Sequence, residues 1–333
     1  MRTLYFLLPG TSGKFACGGL FAELKTLQLA QQVCEAIAVT YQQREPNTLF
    51  LDDLLQSGNT QNCIFVVNWG FHVPKLIARL QGQAVLYHAH SSGYGFRVPA
   101  SVPILTVSRN TMGYWGQRCP NVPIYYLPNQ IAPEFSDRAL SRDIDVLVQA
   151  RKSSAYLLKQ LVPALQKHCQ VKILDHFVED LAGLFNRTKV YLYDSAEYWA
   201  QYQISEGFGL PPLEAMACGC QVFSSLNGAL ADYLDPGFNC EAIGIYSTAY
   251  DVERILTAIN NPRPVKLPIE FWDEYRAEKI VARLEPILEA INQFFDHVEQ
   301  HEPDVPELSP MRLTRLRVQR LGKKILTKLP GFS

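Results

Sequence analysis

The segment SEGFGLPPLEAMACGC, residues 205–220, gathers the residue types with the clearest chemistry. Pro211-Pro212 suits the first turn of a helix, where a missing proline N–H costs nothing, and Gly219 suits the residue that ends it. Gly207 and Gly209 fall just before that N-terminus, in a loop that also holds Phe208 and Leu210. Glycines there let backbone amides approach an anion or a sugar hydroxyl. Glu206 stands in the loop and Glu214 one turn inside the helix, and carboxylates accept hydrogen bonds from vicinal hydroxyls. The pattern predicts a site for a negatively charged, hydroxylated ligand.

Two further groups bear on chemistry. His88 and His90 alternate on one predicted strand in YHAHSS, so they share a face, but no third ligand stands near them in sequence and the pair is weak evidence for zinc. The loop GTSGKFAC precedes Gly18-Gly19. A phosphate loop of the P-loop type would need a glycine where Leu8 stands and Ser or Thr where Phe15 stands, so that reading fails. No G-x-G-x-x-G follows a strand, which leaves a dinucleotide-dependent dehydrogenase unsupported.

The elements that must position these residues follow an alternation. TLYFLL (3–8) is a strand, followed by the glycine loop and a helical pattern in FAELKTLQLAQQVCEA. Strand-like runs recur at 64–69, 84–90 and 103–108 with helical patterns between, as a parallel sheet with crossover helices requires. After a turn-rich stretch, a fresh strand at 143–150 restarts the pattern. It continues with helix 155–167, strand 171–177, helix 178–186, strand 189–194, helix 212–218, strand 221–225 and helix 249–260. The reading is α/β, with two doubly wound Rossmann-like domains. Residues 1–135 form the first domain and 136–267 the second. A helical segment, 268–302, crosses back to the first, and 303–333 is a tail.

A length of 333 residues at about 150 per domain agrees with two domains. With 47% hydrophobic and 19% charged residues, disorder, collagen and a disulfide-stapled miniprotein are excluded. No apolar run approaches the roughly 18 residues of a membrane-spanning helix, and the first ten residues are too short in apolar length for a signal peptide, so a cytoplasmic protein is expected. Eight cysteines without a C-x-x-C pair read as reduced and structural. The net charge of −1 hides a basic end: residues 303–333 hold seven Lys or Arg against Asp304 and Glu307. Within 311–329, Met311, Thr314, Val318, Leu321, Ile325 and Leu329 form one helical stripe, with Arg312, Arg315, Gln319, Lys323 and Lys324 elsewhere. Such a helix suits the anionic inner face of a membrane, and equally a docked helix or a disordered basic end. Nucleic acid is disfavoured, since the rest of the chain is acidic and no aromatics interleave with the charges.

The stretch EGFGLPPLEAMACG (206–219) resembles the Glu-x7-Glu signature of the retaining GT-B glycosyltransferases, the glycosyl transferases group 1 family. That resemblance implies a GT-B fold with a central cleft between an N-terminal acceptor domain and a C-terminal donor domain. It further implies that Glu206 and the loop amides hold the donor sugar and Glu214 the nucleotide ribose. Gly18-Gly19 match the family's Gly-Gly loop. LPNQ (127–130) matches its I-P-N-G turn, with Gln130 in place of glycine. NGALADYLDPG (227–237) resembles its G-G-x-x-E element, with Asp232 for the glutamate, and HAHS points to His90 beside the donor. The family's phosphate-facing arginine falls on Arg151. Position 157, where its lysine belongs, is a leucine, which leaves Lys152 or Lys159, with Lys152 expected to take the role. AEYWAQYQIS (196–205) is longer than the family's usual link, and Tyr198, Trp199 and Tyr202 are expected either to stack on a sugar or to plug the interior.

The expected activity is transfer of a sugar from a nucleotide diphosphate, UDP or GDP, to a glycan, lipid or small-molecule acceptor, with retention and with no metal or other cofactor. Asp143-x-Asp145 is discounted as a metal motif because it opens a strand. A nucleotide-sugar-binding protein without turnover, and an epimerase or hydrolase on the same fold, stay open as alternatives.

Overall fold

The computed structural model describes residues 1–58, 60–262 and 267–326. Among these, twelve strands form two parallel sheets. The first holds β1 (Thr3–Leu8), β2 (Ala36–Thr40), β3 (Leu49–Phe50), β4 (Cys63–Val67), β5 (Val85–Ala89), β6 (Ile104–Thr106) and β7 (Ile124–Tyr126), in the order β3-β2-β1-β4-β5-β6-β7. The second holds β8 (Ile144–Gln149), β9 (Val171–Leu174), β10 (Thr188–Tyr193), β11 (Gln221–Ser224) and β12 (Glu241–Ala242), in the order β12-β11-β10-β8-β9. Strands buried on both faces, such as CIFVV in β4, read as continuous apolar runs because helices cover each side.

Each sheet reverses its winding once. The chain leaves β1 toward β2 and β3, then returns to place β4 on the other side; it leaves β8 toward β9, then returns to place β10. The loops at the carboxyl ends of β1 and β4, and of β8 and β10, therefore splay apart and leave a crevice, the usual place for a ligand in open α/β sheets.

The helix Ala277–Gln300 turns Ile280, Leu284, Ile287, Leu288, Ile291 and Phe295 inward, at the spacing of one helical face. Those side chains share a core with Leu4, Phe6, Ile64 and Val66, so the chain returns to the first domain. Arg2, nearly buried, ties the arrangement down through Asp296 and Glu299, both at 2.7 Å. All eight cysteines are free thiols, five of them buried.

Three differences from the sequence reading have physical causes. The first helix stops at Ala30, and β2 begins at Ala36, because Gln31–Cys34 close a turn onto Leu27, Leu29 and Ala30. The helix expected over 155–167 holds a π-helical segment, Leu157–Leu161, followed by Val162–Leu165; Pro163 has no N–H to give the carbonyl four residues back, which disturbs the ladder there. Strand β9 ends at Leu174, and beyond it Asp175, His176 and Phe177 are exposed.

Candidate active site

A cleft of about 450 Å³ lies where the two reversal points face each other. The first domain contributes Cys17, Gly18 and Gly19 after β1, Asn68 to Phe71 after β4, His90 and Ser91 after β5, and Asn129. The second contributes Gln149, Arg151 and Lys152 after β8, Tyr193, Tyr198 and Trp199 around the end of β10, and the loop from Glu206 to Leu210. The floor is a tight inter-domain contact. Ser91 Oγ donates to the Ser205 carbonyl at 2.5 Å, and the Ser205 amide donates to the Ser92 carbonyl at 3.1 Å. A Cβ on Gly207 would stand 1.5 Å from the His90 carbonyl oxygen, so only glycine fits where the loop crosses to the other domain. Gly209 has φ +79°, the left-handed turn from which the helix Leu210–Ala217 starts.

Glu206 is buried, and its Oε2 accepts three hydrogen bonds: from Tyr193 Oη at 2.6 Å, Trp199 Nε1 at 2.7 Å and Ser195 Oγ at 3.0 Å. Burial and the Glu206 charge push the Tyr193 phenol well above its ordinary pKa, which keeps it a donor. With Oε2 taken, Oε1 is the oxygen left for a ligand. The Lys152 ammonium lies over the Trp199 ring, 4.4 Å from its centre. Lys152 has φ +67°, a left-handed conformation uncommon for a side chain of this size, and with it two consecutive basic residues, Arg151 and Lys152, line the cleft. Lys159 does not line it.

Glu214 is buried inside the helix and lies outside the cleft lining. Burial pushes its carboxyl up to about 7, with Lys25 opposing and Glu134 adding to the shift. Among the described residues no protein donor reaches its oxygens. The Phe208 ring packs into the core on Tyr233 and Tyr275 at 5.8 and 5.9 Å, so that residue offers the cleft little beyond backbone. Tyr202 is exposed outside the lining, its ring 5.0 Å from that of Tyr198. Trp199 lines the cleft with its indole N–H committed to Glu206.

The third partner that sequence proximity did not supply for the histidines is Glu23, from the helix Gly18–Ala30. Its Oε2 lies 2.6 Å from both His88 Nδ1 and His90 Nε2, and its Oε1 accepts from Asn68 Nδ2 at 3.0 Å. Burial opposes ionisation, but the two imidazoles outweigh it and hold the Glu23 carboxyl well below the usual range. Burial and His88 lower the pKa of His90. These three side chains are also the one group among the described residues close enough to share a metal ion. Asp143 and Asp145 pair with Arg187 and Lys189 and are engaged as surface ion pairs. Asp232 accepts from the Arg109 amide at 2.5 Å, at the start of the helix Arg109–Arg118, so it joins the two domains rather than lining the cleft. Gln130 has no positive φ, so the turn at 127–130 does not need the glycine it lacks, and the neighbouring Asn129 is buried against the cleft.

Two parallel sheets wound in this way around a shared crevice are the architecture of the GT-B fold. Residues 140–266, the second domain, match the model of the glycosyl transferases group 1 family. No curated protein matches the sequence. Among solved structures, Anabaena HepE in complex with UDP and glucose is similar, with a TM-score of 0.62 at 13% identity over 87% of this chain and 100% of its own. A glycosyltransferase from Rickettsia africae gives 0.61 at 10%, over 88% and 98%. WaaG, a glycosyltransferase involved in lipopolysaccharide biosynthesis, gives 0.55 at 11%, over 86% and 99%.

Proposed function

We propose that the protein is a retaining glycosyltransferase that takes a nucleotide diphosphate sugar and needs no metal. The observation that carries this reading is the pairing, across one cleft, of Arg151 and Lys152 with the Glu206–Leu210 loop. The diphosphate lies against the two cations and the start of the helix Leu210–Ala217, the hexose against Glu206 Oε1 and the loop amides, and the ribose against the unpartnered carboxylate of Glu214. In the transfer step the acceptor hydroxyl oxygen bonds to the anomeric carbon on the face from which the diphosphate leaves. The bond from that carbon to the β-phosphate oxygen breaks, and the hydroxyl proton passes to that phosphate. Charge developing on the leaving group is met by fixed cations at little reorganisation cost.

UDP heads the candidates, because HepE was solved with UDP and glucose. Thermal-shift titration with UDP, GDP, ADP and their sugars tests the reading, since a ligand of the folded state raises its stability by RT ln(1 + [L]/Kd). Stabilisation by one nucleotide, followed by sugar transfer in a mixture of acceptors, supports it. Binding without turnover leaves a nucleotide-sugar-binding protein, and free sugar or an epimer without an acceptor product leaves a hydrolase or epimerase.

A membrane-proximal acceptor is part of the same proposal. The helix Pro310–Leu326 keeps Met311, Val318 and Leu321 exposed along with its arginines. Its base is tied to the first domain by Arg97 Nη1 donating to the Leu308 carbonyl and Asn121 Nδ2 to that of Pro306. Lys328 and Leu329 lie outside the described residues. Among the described residues no helix is long and apolar enough to cross a membrane, so contact would be with its surface.

A further inference from the structure

The first-domain wall of the cleft carries three aromatic rings whose role the donor chemistry does not explain. Trp69 and Phe71 follow β4, Tyr94 follows β5, and all three line the same cavity as the donor loop. Phe71 is 69% exposed, an unusual state for a phenylalanine. The wall is built rather than incidental. A Cβ on Gly70 would lie 2.1 Å from Tyr94 Cζ, so the Tyr94 ring rests directly on the Gly70 backbone. Phe71 then meets Tyr94 edge-on, with ring centres 5.1 Å apart and planes at 84°. Behind Tyr94, Phe96 stacks at 6.0 Å and 21°.

The polar side chains that this domain brings to the lining are the Asn68 and Asn129 amides, the Ser91 hydroxyl and His90, whose imidazole is engaged with Glu23. Among the described residues the first domain contributes no Lys or Arg to the lining. A phosphate or an anionic headgroup close to the reacting hydroxyl would meet no cation on this side. The C–H face of a pyranose, by contrast, packs on such rings while its hydroxyls reach amide groups.

We infer that the acceptor is a neutral sugar residue, held by its ring face on Phe71 and Tyr94 with its attacking hydroxyl toward the donor. The inference rests on the glycosyltransferase reading and adds the class of acceptor. It concerns the residue that receives the sugar, so a membrane-anchored acceptor would present that residue at its far end.

The full chain, with the nucleotide that stabilises it bound, is titrated with neutral methyl glycosides and short oligosaccharides while tryptophan fluorescence is followed. Farnesyl phosphate and sugar phosphates form the parallel arm. Saturable quenching by a neutral sugar is expected, weakened roughly 3- to 10-fold in Phe71→Ala and largely restored in Phe71→Tyr, the scale of one ring contact. In transfer assays the same substitution raises the acceptor KM by a similar factor and changes kcat much less. Binding or transfer confined to the phosphorylated probes, or a neutral-sugar affinity indifferent to Phe71→Ala and Tyr94→Leu, overturns the inference. Sugar binding that depends on Phe71 without any transfer would sustain the inference and sink the catalytic reading.

Discussion

The indole N–H of Trp199 donates to Oε2 of Glu206 over 2.7 Å while the Lys152 ammonium lies over the same ring, 4.4 Å from its centre. One side chain from the helix Ala196–Tyr202 thus joins the Glu206 carboxylate to a cation of the same cleft. Trp199→Phe keeps an aromatic face and removes the N–H. A hydrogen bond to a charged group contributes about 1.5–3 kcal/mol to the folded state, so the melting temperature is expected to fall by a few degrees, and kcat to fall as well because Glu206 Oε2 loses a donor that fixes it. Glu206→Ala is expected to abolish transfer with the fold intact. Wild-type turnover in that variant would remove Glu206 from the site.

Charge at the leaving diphosphate is assigned to Arg151 and Lys152. Removing one such preorganised stabiliser typically costs about 10²-fold or more in kcat. Arg151→Ala and Lys152→Ala are expected on that scale, with Lys159→Ala near wild type because Lys159 is not part of the cleft. If Lys159→Ala is the inactive variant, the assignment of the second cation fails.

Glu214 is expected to make stability, and nucleotide binding in the proposed site, sensitive to pH. Its folded pKa of about 7 lies above the ordinary 4.5, so between those values the folded state holds the extra proton, and stability falls as pH rises through that window. The loss amounts to at most about 3 kcal/mol. Melting curves from pH 4 to 8 should show it in the wild type and a flatter profile in Glu214→Gln. Ribose hydroxyls donate to the ionised form, so nucleotide affinity should rise with pH through about 7 in the wild type only. A nucleotide Kd with the same pH dependence in both proteins would separate Glu214 from the ribose.

The alternation of apolar runs made the α/β class and the two sheets legible, because a strand buried on both faces leaves a continuous hydrophobic signature. Strands as short as β3 and β7 leave almost none, and Val33 and Cys34 continue the spacing of the first helix past its true end at Ala30. In the site, residues close in sequence were readable: the loop 206–210, and Arg151 beside Lys152. Contacts set by tertiary approach were not. Glu23 meets His88 and His90 more than sixty residues away, and Asp232 reaches Arg109 across the domain junction. The indole N–H of Trp199, committed to Glu206 seven residues on, left no mark in the sequence.

Transfer is expected to survive EDTA, since in the proposed mechanism Arg151 and Lys152 supply the positive charge that a divalent ion would otherwise bring. Complete loss restored by a divalent ion would redirect attention to Glu23, His88 and His90. Glu23→Gln would then abolish the metal response. Asp143 and Asp145 are poor candidates, each already paired with a basic side chain.

The C-terminal helix provides the last test. From Met311 to Lys323 nearly every described side chain is exposed, so the helix does not form part of the core, and it carries no acidic residue. Each Lys or Arg near an anionic leaflet contributes about 1 kcal/mol of gross attraction. Salt and the cost of ordering the segment reduce that sum. Co-sedimentation with phosphatidylglycerol liposomes is expected at low salt and to weaken at high salt. It should disappear when Arg312, Arg315, Arg317 and Arg320 are replaced together by Gln. Replacing Met311, Val318 and Leu321 by Ser should weaken binding at both salt concentrations, since that change removes buried apolar area rather than charge. Neither set touches the core, so melting temperatures should stay near wild type; a large fall in either variant would mean that the helix is a packed part of the fold, and the membrane proposal would go with it.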